Sequence, residues 1–321
     1  MGERVVIALV GCTATGKTAV AERVAERLGC EVVCADSRQV FRELDIGTGK
    51  PAAPERVRAP HHLFESLSIR AYARGADGAG LARATAGWYA RAARDACEGV
   101  HARGRVPLLV GGSGLYLRAA QRGLAPTPPV DPKVRERLAA ELEALGSNVL
   151  HRRLARGDAP SARAIHASDA QRITRALEVL ESTGRSLSRW RGRPAAPAVE
   201  GRWHAFRLTT DPDELRRRIE RRTRWMFESG LIEETRALVQ RGLGGALERL
   251  RAIGYDEALA IDAGRMDREQ AEAGTRLRTA QLAKRQRTWF AHQLEAQAIA
   301  TEGRTDAQLA EQVLACLRGA G

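Results

Sequence analysis

The 321 residues carry 44% hydrophobic and 28% charged side chains, a globular and not a disordered balance, and the length suits one or two ordinary cores. The longest apolar runs, residues 5–10 and 106–110, fall far short of the roughly 20 residues a membrane span needs. No charged start with a small-residue cleavage site marks a signal peptide, so the expected location is cytoplasmic. The net charge of +13 favours a polyanionic partner, nucleic acid being the commonest. Lysine stands only at Lys17, Lys50, Lys133 and Lys284, so an arginine-rich genomic bias also accounts for part of the excess.

Residues 4–10 form a short apolar run ending in glycine and read as a buried strand. Residues 17–28 have apolar residues at helical spacing and stop at Gly29, a glycine C-cap. Residues 31–35 read as a second strand closing on Asp36. Together they make a strand, loop, helix and strand, the unit of a parallel sheet. Residues 81–103 are expected to be helical, and 106–110 a third strand opening into Gly111-Gly112-Ser113-Gly114.

Residues 125–132 hold four prolines and read as a linker. The next 70 or so residues read as helical and strand-free, with helices expected over 132–145, 148–156 and 168–183. Residues 191–197 form a second Pro-containing linker, after which 203–208 return to strand character. From 211 onward the chain reads as helical, with a last strand near 298–300. The expected fold class is α/β: a parallel-sheet core flanked by helices, from residues 1–123 and 201–321, with an all-helical domain inserted over 124–200.

Gly11-Cys12-Thr13-Ala14-Thr15-Gly16-Lys17-Thr18 fits GxxxxGK[ST] between a strand and a helix. Glycines let backbone amides turn onto phosphate oxygens, and the helix N-terminus adds its positive dipole end. Lys17 neutralises the terminal phosphate, and the Thr18 hydroxyl ligates Mg²⁺. An ATPase would place an acid at the end of a further strand for the metal shell. The strand over 106–110 ends in Gly-Gly-Ser-Gly instead.

Asp36 lies at the carboxyl end of the second strand, where open α/β sheets place ligands. It can take a proton from a nucleophile aimed at the phosphate loop, or cap a following helix together with Ser37. His61 and His62 lack a third ligand at metal spacing and read as structural hydrogen-bond partners. The five cysteines, Cys12, Cys30, Cys34, Cys97 and Cys316, form no CxxC pair, so free thiols are expected and neither a zinc ribbon nor a disulfide framework.

The phosphate loop is followed in order by Ala35-Asp36-Ser37-Arg38-Gln39, Asp45-Ile46-Gly47-Thr48, Pro60-His61-His62-Leu63 and Val110-Gly111-Gly112-Ser113-Gly114-Leu115-Tyr116-Leu117. Then come Ser168-Asp169-Ala170-Gln171-Arg172-Ile173-Thr174-Arg175, Met226-Phe227-Glu228-Ser229-Gly230-Leu231, Ala252-Ile253-Gly254-Tyr255 and Ala283-Lys284-Arg285-Gln286. This series, over about residues 5–290, resembles the bacterial tRNA dimethylallyltransferases (tRNA isopentenyltransferases).

The resemblance implies a P-loop NTPase-like core and transfer of a dimethylallyl group from dimethylallyl diphosphate to N6 of an adenine in tRNA. That adenine lies beside the anticodon on its 3′ side (tRNA position 37). It implies that Asp36 is the catalytic base and that Ser113 stands where the substrates meet, its hydroxyl available to the flipped adenine. The diphosphate would be held by residues 11–18, Arg222 and Lys284, with Mg²⁺ on Thr18. The tRNA anticodon stem-loop would be read by Asp36, Ser37, Arg38, Gln39 and Ser113. In the inserted domain, Arg135, Gln171, Arg172, Ile173, Thr174 and Arg175 would join them, and that domain would close on the RNA. A monomer suffices.

Several positions depart from the family pattern: Cys12 for Pro, Phe41 for Tyr, Ser113 for Thr, Ser168 for Asn and Ala280 for Arg. Residues 66–85 lack the expected Asp-Pro…Tyr-Ser pattern. The loss of the Phe41 hydroxyl removes a group expected at the RNA, and Ala280 removes a cation near diphosphate or RNA. Two other classes fit the phosphate loop itself: a small-molecule P-loop kinase with the insertion as a lid, and a non-catalytic RNA-binding protein.

Overall fold

The computed structural model describes residues 3–52, 55–73, 82–191 and 196–319. They group into two compact units, Met1–Arg122 with Pro197–Gly321, and Gly123–Ala196.

The first unit opens with β1 (Val5–Gly11), α1 (Lys17–Leu28), β2 (Glu31–Cys34), the two-residue β3 (His61–His62), α2 (Ala86–Ala102), β4 (Pro107–Gly111) and α3 (Gly114–Arg122). The second unit holds α4 (Pro132–Leu145), α5 (Ser147–Gly157), α6 (Ala159–Ala164), α7 (Ala170–Thr183) and α8 (Leu187–Arg191). The chain then returns to the first unit with β5 (Arg202–Thr209), α9 (Pro212–Glu228), α10 (Leu231–Gln240), α11 (Gly244–Leu250) and α12 (Tyr255–Asp262). It ends with α13 (Arg268–Gln293), β6 (Gln297–Ala300) and α14 (Asp306–Arg318).

The sheet runs β3-β2-β4-β1-β5-β6, and every pairing is parallel. β1, β2 and β4 read as continuous apolar runs because both faces are covered by helices. Ile7, Leu9, Val32, Leu108 and Phe206 pack with residues of α1 and α14. Val6, Ala8, Val10, Val33 and Leu109 pack on the other face with Tyr89, Tyr116, Leu117 and Phe290. A third core lies beyond β2, where Val40, Phe41, Leu44 and Ile69 meet α10, α11 and α12 through Leu231, Leu247 and Tyr255. The second unit has its own core, built on Leu138, Leu150, Leu154, Ile173, Leu177 and Trp190.

The expected elements are present, with shifted boundaries. α2 begins at Ala86 and not at residue 81, because Thr85 accepts the Trp88 amide and fixes the helix start there. Likewise Asp169 accepts the Arg172 amide, so α7 starts at Ala170. The histidine pair forms β3, too short for a period to reveal: His61 and His62 pair with Val32 and Val33. The second expected linker lies partly outside the described residues at 192–195, as do residues 74–81 of the divergent stretch. No described helix is long and apolar enough to cross a membrane.

Candidate active site

The parallel order places three loops side by side at the carboxyl ends of neighbouring strands: the turn after β2, the turn after β4 and the phosphate loop after β1. Adjacent strands are spaced about 4.8 Å apart, so the outer two loops flank the middle one within about 10 Å.

In the phosphate loop, Gly16 is left-handed at φ 84° and feeds straight into α1, and Ala14 is also left-handed at φ 65°. The amides of residues 14–18 meet no acceptor among the described residues, so they form a nest of donors over the helix N-terminus. The Thr13 amide is different: it donates to Gln286 Oε1 at 2.9 Å, which removes it from the expected set of phosphate donors. Thr15 Oγ1 and Lys17 Nζ both donate to the Cys12 carbonyl, at 2.9 and 2.6 Å. Burial holds the Lys17 ammonium down to about 8, against the opposing pull of Cys12 and Asp36. Thr18 stands exposed on the first turn of α1.

Cys12 is buried, and it packs with Leu215 and Ile219 of α9 and with Ala283 of α13; Ala14 and Ala280 lie against the same group. The small residues at 280 and 283 let α13 approach the loop. Ala280 therefore serves packing at this position.

Asp36 is half-buried, and its Oδ1 accepts the amides of Arg38 at 2.8 Å and Gln39 at 3.4 Å. The carboxylate closes a local turn of the kind Asp favours; no helix follows for it to cap. The Ser37 amide donates to Ser113 Oγ at 2.9 Å, and the Ser113 amide donates to the Ala35 carbonyl at 3.1 Å. Ser113 thus holds the Asp36 turn. Gln286 Nε2 donates to the Gly112 carbonyl at 2.9 Å. A Cβ at Gly112 would stand 2.6 Å from that nitrogen, so glycine is needed for this approach.

Arg222 comes from α9 and donates to the Thr48 carbonyl at 2.8 Å. Burial lowers its proton affinity, and the nearby Asp36 carboxylate partly restores it. Lys17, Asp36 and Arg222 therefore lie within electrostatic reach of one another. Gln39 Nε2 donates to the carbonyls of Thr48 and Gly49, at 3.3 and 3.0 Å. A Cβ on left-handed Gly49 would fall 2.3 Å from the Arg222 guanidinium.

That 45–50 loop is itself fixed. Glu234 accepts the amides of Asp45 and Ile46 at 2.9 and 2.8 Å and also takes the Tyr255 hydroxyl. Lys50 is buried on Asp45 and on the Phe41 carbonyl, at 2.6 and 2.8 Å, as a structural cation. Gln286, Glu234 and Tyr255 were not expected as site residues. Gln286 and Tyr255 stand within the Ala283–Gln286 and Ala252–Tyr255 strings, but the loop residues they hold, Thr13 and Gly112 for Gln286 and Gly47 for Tyr255, are 273, 174 and 208 positions away and leave no local spacing signal.

Not every expected residue joins this group. Lys284 is exposed on α13 and makes no hydrogen bond or ion pair among the described residues. Arg38 Nη2 is held by the Leu250 carbonyl at 3.0 Å. Phe41 is fully buried in an edge-on contact with Tyr72, so position 41 is a core position and not an RNA-facing one.

In the second unit, Arg135 and Arg175 converge on the buried Glu178 at 3.6 and 3.3 Å. Arg172 is exposed and pairs with Asp169 at 3.3 Å, its one ionic partner among the described residues. Gln171 is also exposed. Ile173 is wholly buried in the core of this unit, and the Thr174 hydroxyl is buried as well. The Ile173 side chain and the Thr174 hydroxyl thus point into the unit and not to solvent, against the expectation for these two positions.

His61 Nδ1 meets the Ala59 carbonyl at 2.7 Å, and His62 Nε2 meets Glu31 at 2.6 Å, the structural roles expected. Glu31 also takes Arg103 bidentately, and these hydrogen bonds hold its carboxyl down at about 2. No group of three or more His, Cys, Asp or Glu that could hold a metal occurs among the described residues. All five cysteines are free.

The IPP transferase family model matches residues 39–293, and an isopentenyl transferase model matches residues 4–64. The tRNA dimethylallyltransferase of Halorhodospira halophila is 42% identical over 319 residues, covering 98% of each chain. The solved tRNA isopentenylpyrophosphate transferase of Bacillus halodurans is 31% identical with a TM-score of 0.69, covering 99% of this chain and 96% of its own. The Staphylococcus epidermidis tRNA isopentenylpyrophosphate transferase is 26% identical with a TM-score of 0.70, covering 99% of this chain and all of its own. With its phosphate loop, Asp36 turn and full-length similarity, the chain belongs to the IPP transferase family.

Proposed function

We propose that this chain transfers a dimethylallyl group from dimethylallyl diphosphate to N6 of the adenine on the 3′ side of a tRNA anticodon. The observation that carries the reading is the placement of Asp36 two strands from the amide nest of the phosphate loop, with Ser113 in the turn after the strand between. A kinase would transfer the phosphate it grips. Here the phosphate is the leaving group.

The exocyclic amine of adenine is a weak nucleophile because its lone pair is delocalised into the ring. The C1–O bond of the donor breaks as N6 bonds to C1, and Asp36 accepts the N6 proton. The departing diphosphate gains negative charge, which the amides of residues 14–18, Lys17 and Arg222 face in a fixed arrangement. The donor set also suits a hard divalent cation carried mainly by phosphate oxygens: one hydroxyl, Thr18, and no cage of acidic ligands among the described residues. Mg²⁺ held there would neutralise part of the leaving-group charge.

An adenine stacked in a stem-loop must be extruded before its amine reaches a donor carbon. The half-buried Ser37, Arg38 and Gln39 are suited to the loop bases. On the helical unit, exposed Arg172 and Gln171, with Arg135 and Arg175 around Glu178, suit phosphates of the stem. Incubation with tRNA, Mg²⁺ and either labelled dimethylallyl diphosphate or γ-labelled ATP tests the reading. Prenyl label in the RNA is the expected result; absence of label in RNA from the prenyl donor overturns it.

A further inference from the structure

Along one face of α13, Thr279, Ala283 and Phe290 are buried, and Gln286 falls in the same row. The face is otherwise small or apolar, which suits close packing on the phosphate loop and on the exit of β4. Gln286 itself is half-buried, and a primary amide withdrawn from water in such a row favours hydrogen-bond partners within the protein. Gln286 is paired in only one orientation: Oε1 accepts the Thr13 amide and Nε2 donates to the Gly112 carbonyl, each at 2.9 Å. Rotating the amide by half a turn would set donor against donor and acceptor against acceptor.

The two partners belong to different functional loops. Thr13 lies in the phosphate loop. Gly112 leads into Ser113, whose hydroxyl takes the Ser37 amide beside Asp36. Gln286 is thus the cross-link between the loop that grips diphosphate and the turns that carry the base.

We propose that Gln286 is a positioning residue that sets the alignment of the donor carbon against the acceptor amine. This inference rests on the transferase reading given above. Gln286 lies beside the phosphate nest and is not one of its donors, because it occupies the Thr13 amide and leaves the amides of 14–18 to the diphosphate. β1 and β4 stay paired up to Val10 and Gly111, but loss of the bridge lets the phosphate loop and the Gly112-Ser113 turn shift relative to one another beyond those strand ends. The donor then still binds, but attack by N6 slows, and water competes for C1. In that side reaction the C1–O bond breaks, water oxygen bonds to C1, and its proton passes to the medium. Dimethylallyl alcohol and diphosphate result.

The test is Gln286→Met, which preserves shape and volume and removes both hydrogen bonds. Wild-type protein is assayed first: if it fails to prenylate tRNA, the function itself falls and the bridge is not at issue. With an active wild type, Gln286→Met should lower kcat roughly 10- to 100-fold, the scale of a small misalignment. KM for donor and tRNA should stay within about twofold, and the variant should remain folded at the assay temperature, with a Tm lowered by no more than a few degrees. The ratio of dimethylallyl alcohol released to prenyl group transferred should rise, a partition that loss of folded enzyme would leave fixed. Wild-type kcat and partition in the variant, or a loss of kcat that merely follows a fall in Tm with the partition unchanged, overturns the proposal.

Discussion

Ser113 Oγ accepts the backbone amide of Ser37 at 2.9 Å, so the turn after β4 holds the turn after β2 through a side chain 76 positions away. The hydroxyl keeps the residue after Asp36 in place, and its own proton remains available to an incoming base. Ser113→Ala should leave the Ser37 amide without its acceptor and lower kcat by roughly tenfold or more. Ser113→Thr keeps the hydroxyl and should remain within a few-fold of wild type. Single-turnover prenylation measures both; an alanine variant as fast as wild type would show the contact to be dispensable.

Asp36 both closes its turn and carries the charge next to Lys17 and Arg222. Asp36→Asn preserves the turn, because the amide oxygen can accept from Arg38 and Gln39, yet it cannot take a proton. Transfer should fall by about 10²-fold or more, the usual contribution of a general base, with tRNA affinity and Tm near wild type. Asp36→Ala should abolish transfer too and additionally loosen the turn. Collapse of tRNA affinity in the asparagine variant would mark Asp36 as an RNA-binding group and remove it as the base.

Lys17 gives a pH dependence with a definite sign. Its folded value in the free protein is lowered to about 8 by burial, and a bound diphosphate favours the charged ammonium and raises it. Below about pH 8 both states carry the proton and the lysine adds no pH dependence. Above about pH 8 the free protein loses the proton while the complex keeps it, so binding takes one up. Donor affinity should then fall by about tenfold per pH unit until the bound-state value is reached. Donor titrations from pH 7 to 10 check this, and Lys17→Gln should bind weakly with no such slope. A wild-type affinity that stays level through pH 9 contradicts the assignment.

Adjacent positions on α7 should respond differently. Arg172 is solvent-facing, and Arg172→Ala should weaken tRNA binding and reduce its salt dependence by about one unit of slope, as for one phosphate contact. Ile173 is fully buried. Ile173→Ala should cost about 2–5 kcal/mol of stability in the helical unit, with RNA affinity lost only as far as that unit unfolds. Salt-dependent binding curves and thermal denaturation separate the two; an unchanged slope for Arg172→Ala would remove it from the RNA surface.

The elements and motifs that obey a local period were legible in the chain. β1, β2 and β4 announce themselves as apolar runs, α1 by its spacing and glycine cap, and the phosphate loop by glycines and lysine at fixed offsets. β3 was not legible, because two residues carry no period. Ile173 and Phe41 were misplaced for a related reason: a motif string identifies a segment but does not say which side chains face inward. In α7 the helical turn carries Arg172 outward and Ile173 into the core. Gln286, Glu234 and Tyr255 act on loops over 170 or more positions of sequence, and only the packed chain brings such partners together.

The parallel sheet also has a consequence for how the chain is made. β1, the second of the central pair, takes β4 on one edge and β5 on the other, yet β5 follows the whole of the helical unit in the chain. During synthesis, residues 1–122 can assemble only four of the six strands, and the far edge of β1 stays unpaired until residue 209 has left the ribosome. The intervening unit has its own core and can fold in the meantime. At synthesis rates of about 5–20 residues per second, the open edge persists for several seconds. An unpaired apolar edge is a template for association with another chain. Fragment 1–122 should therefore aggregate when expressed alone, and the nascent full chain should be a chaperone client until β5 emerges.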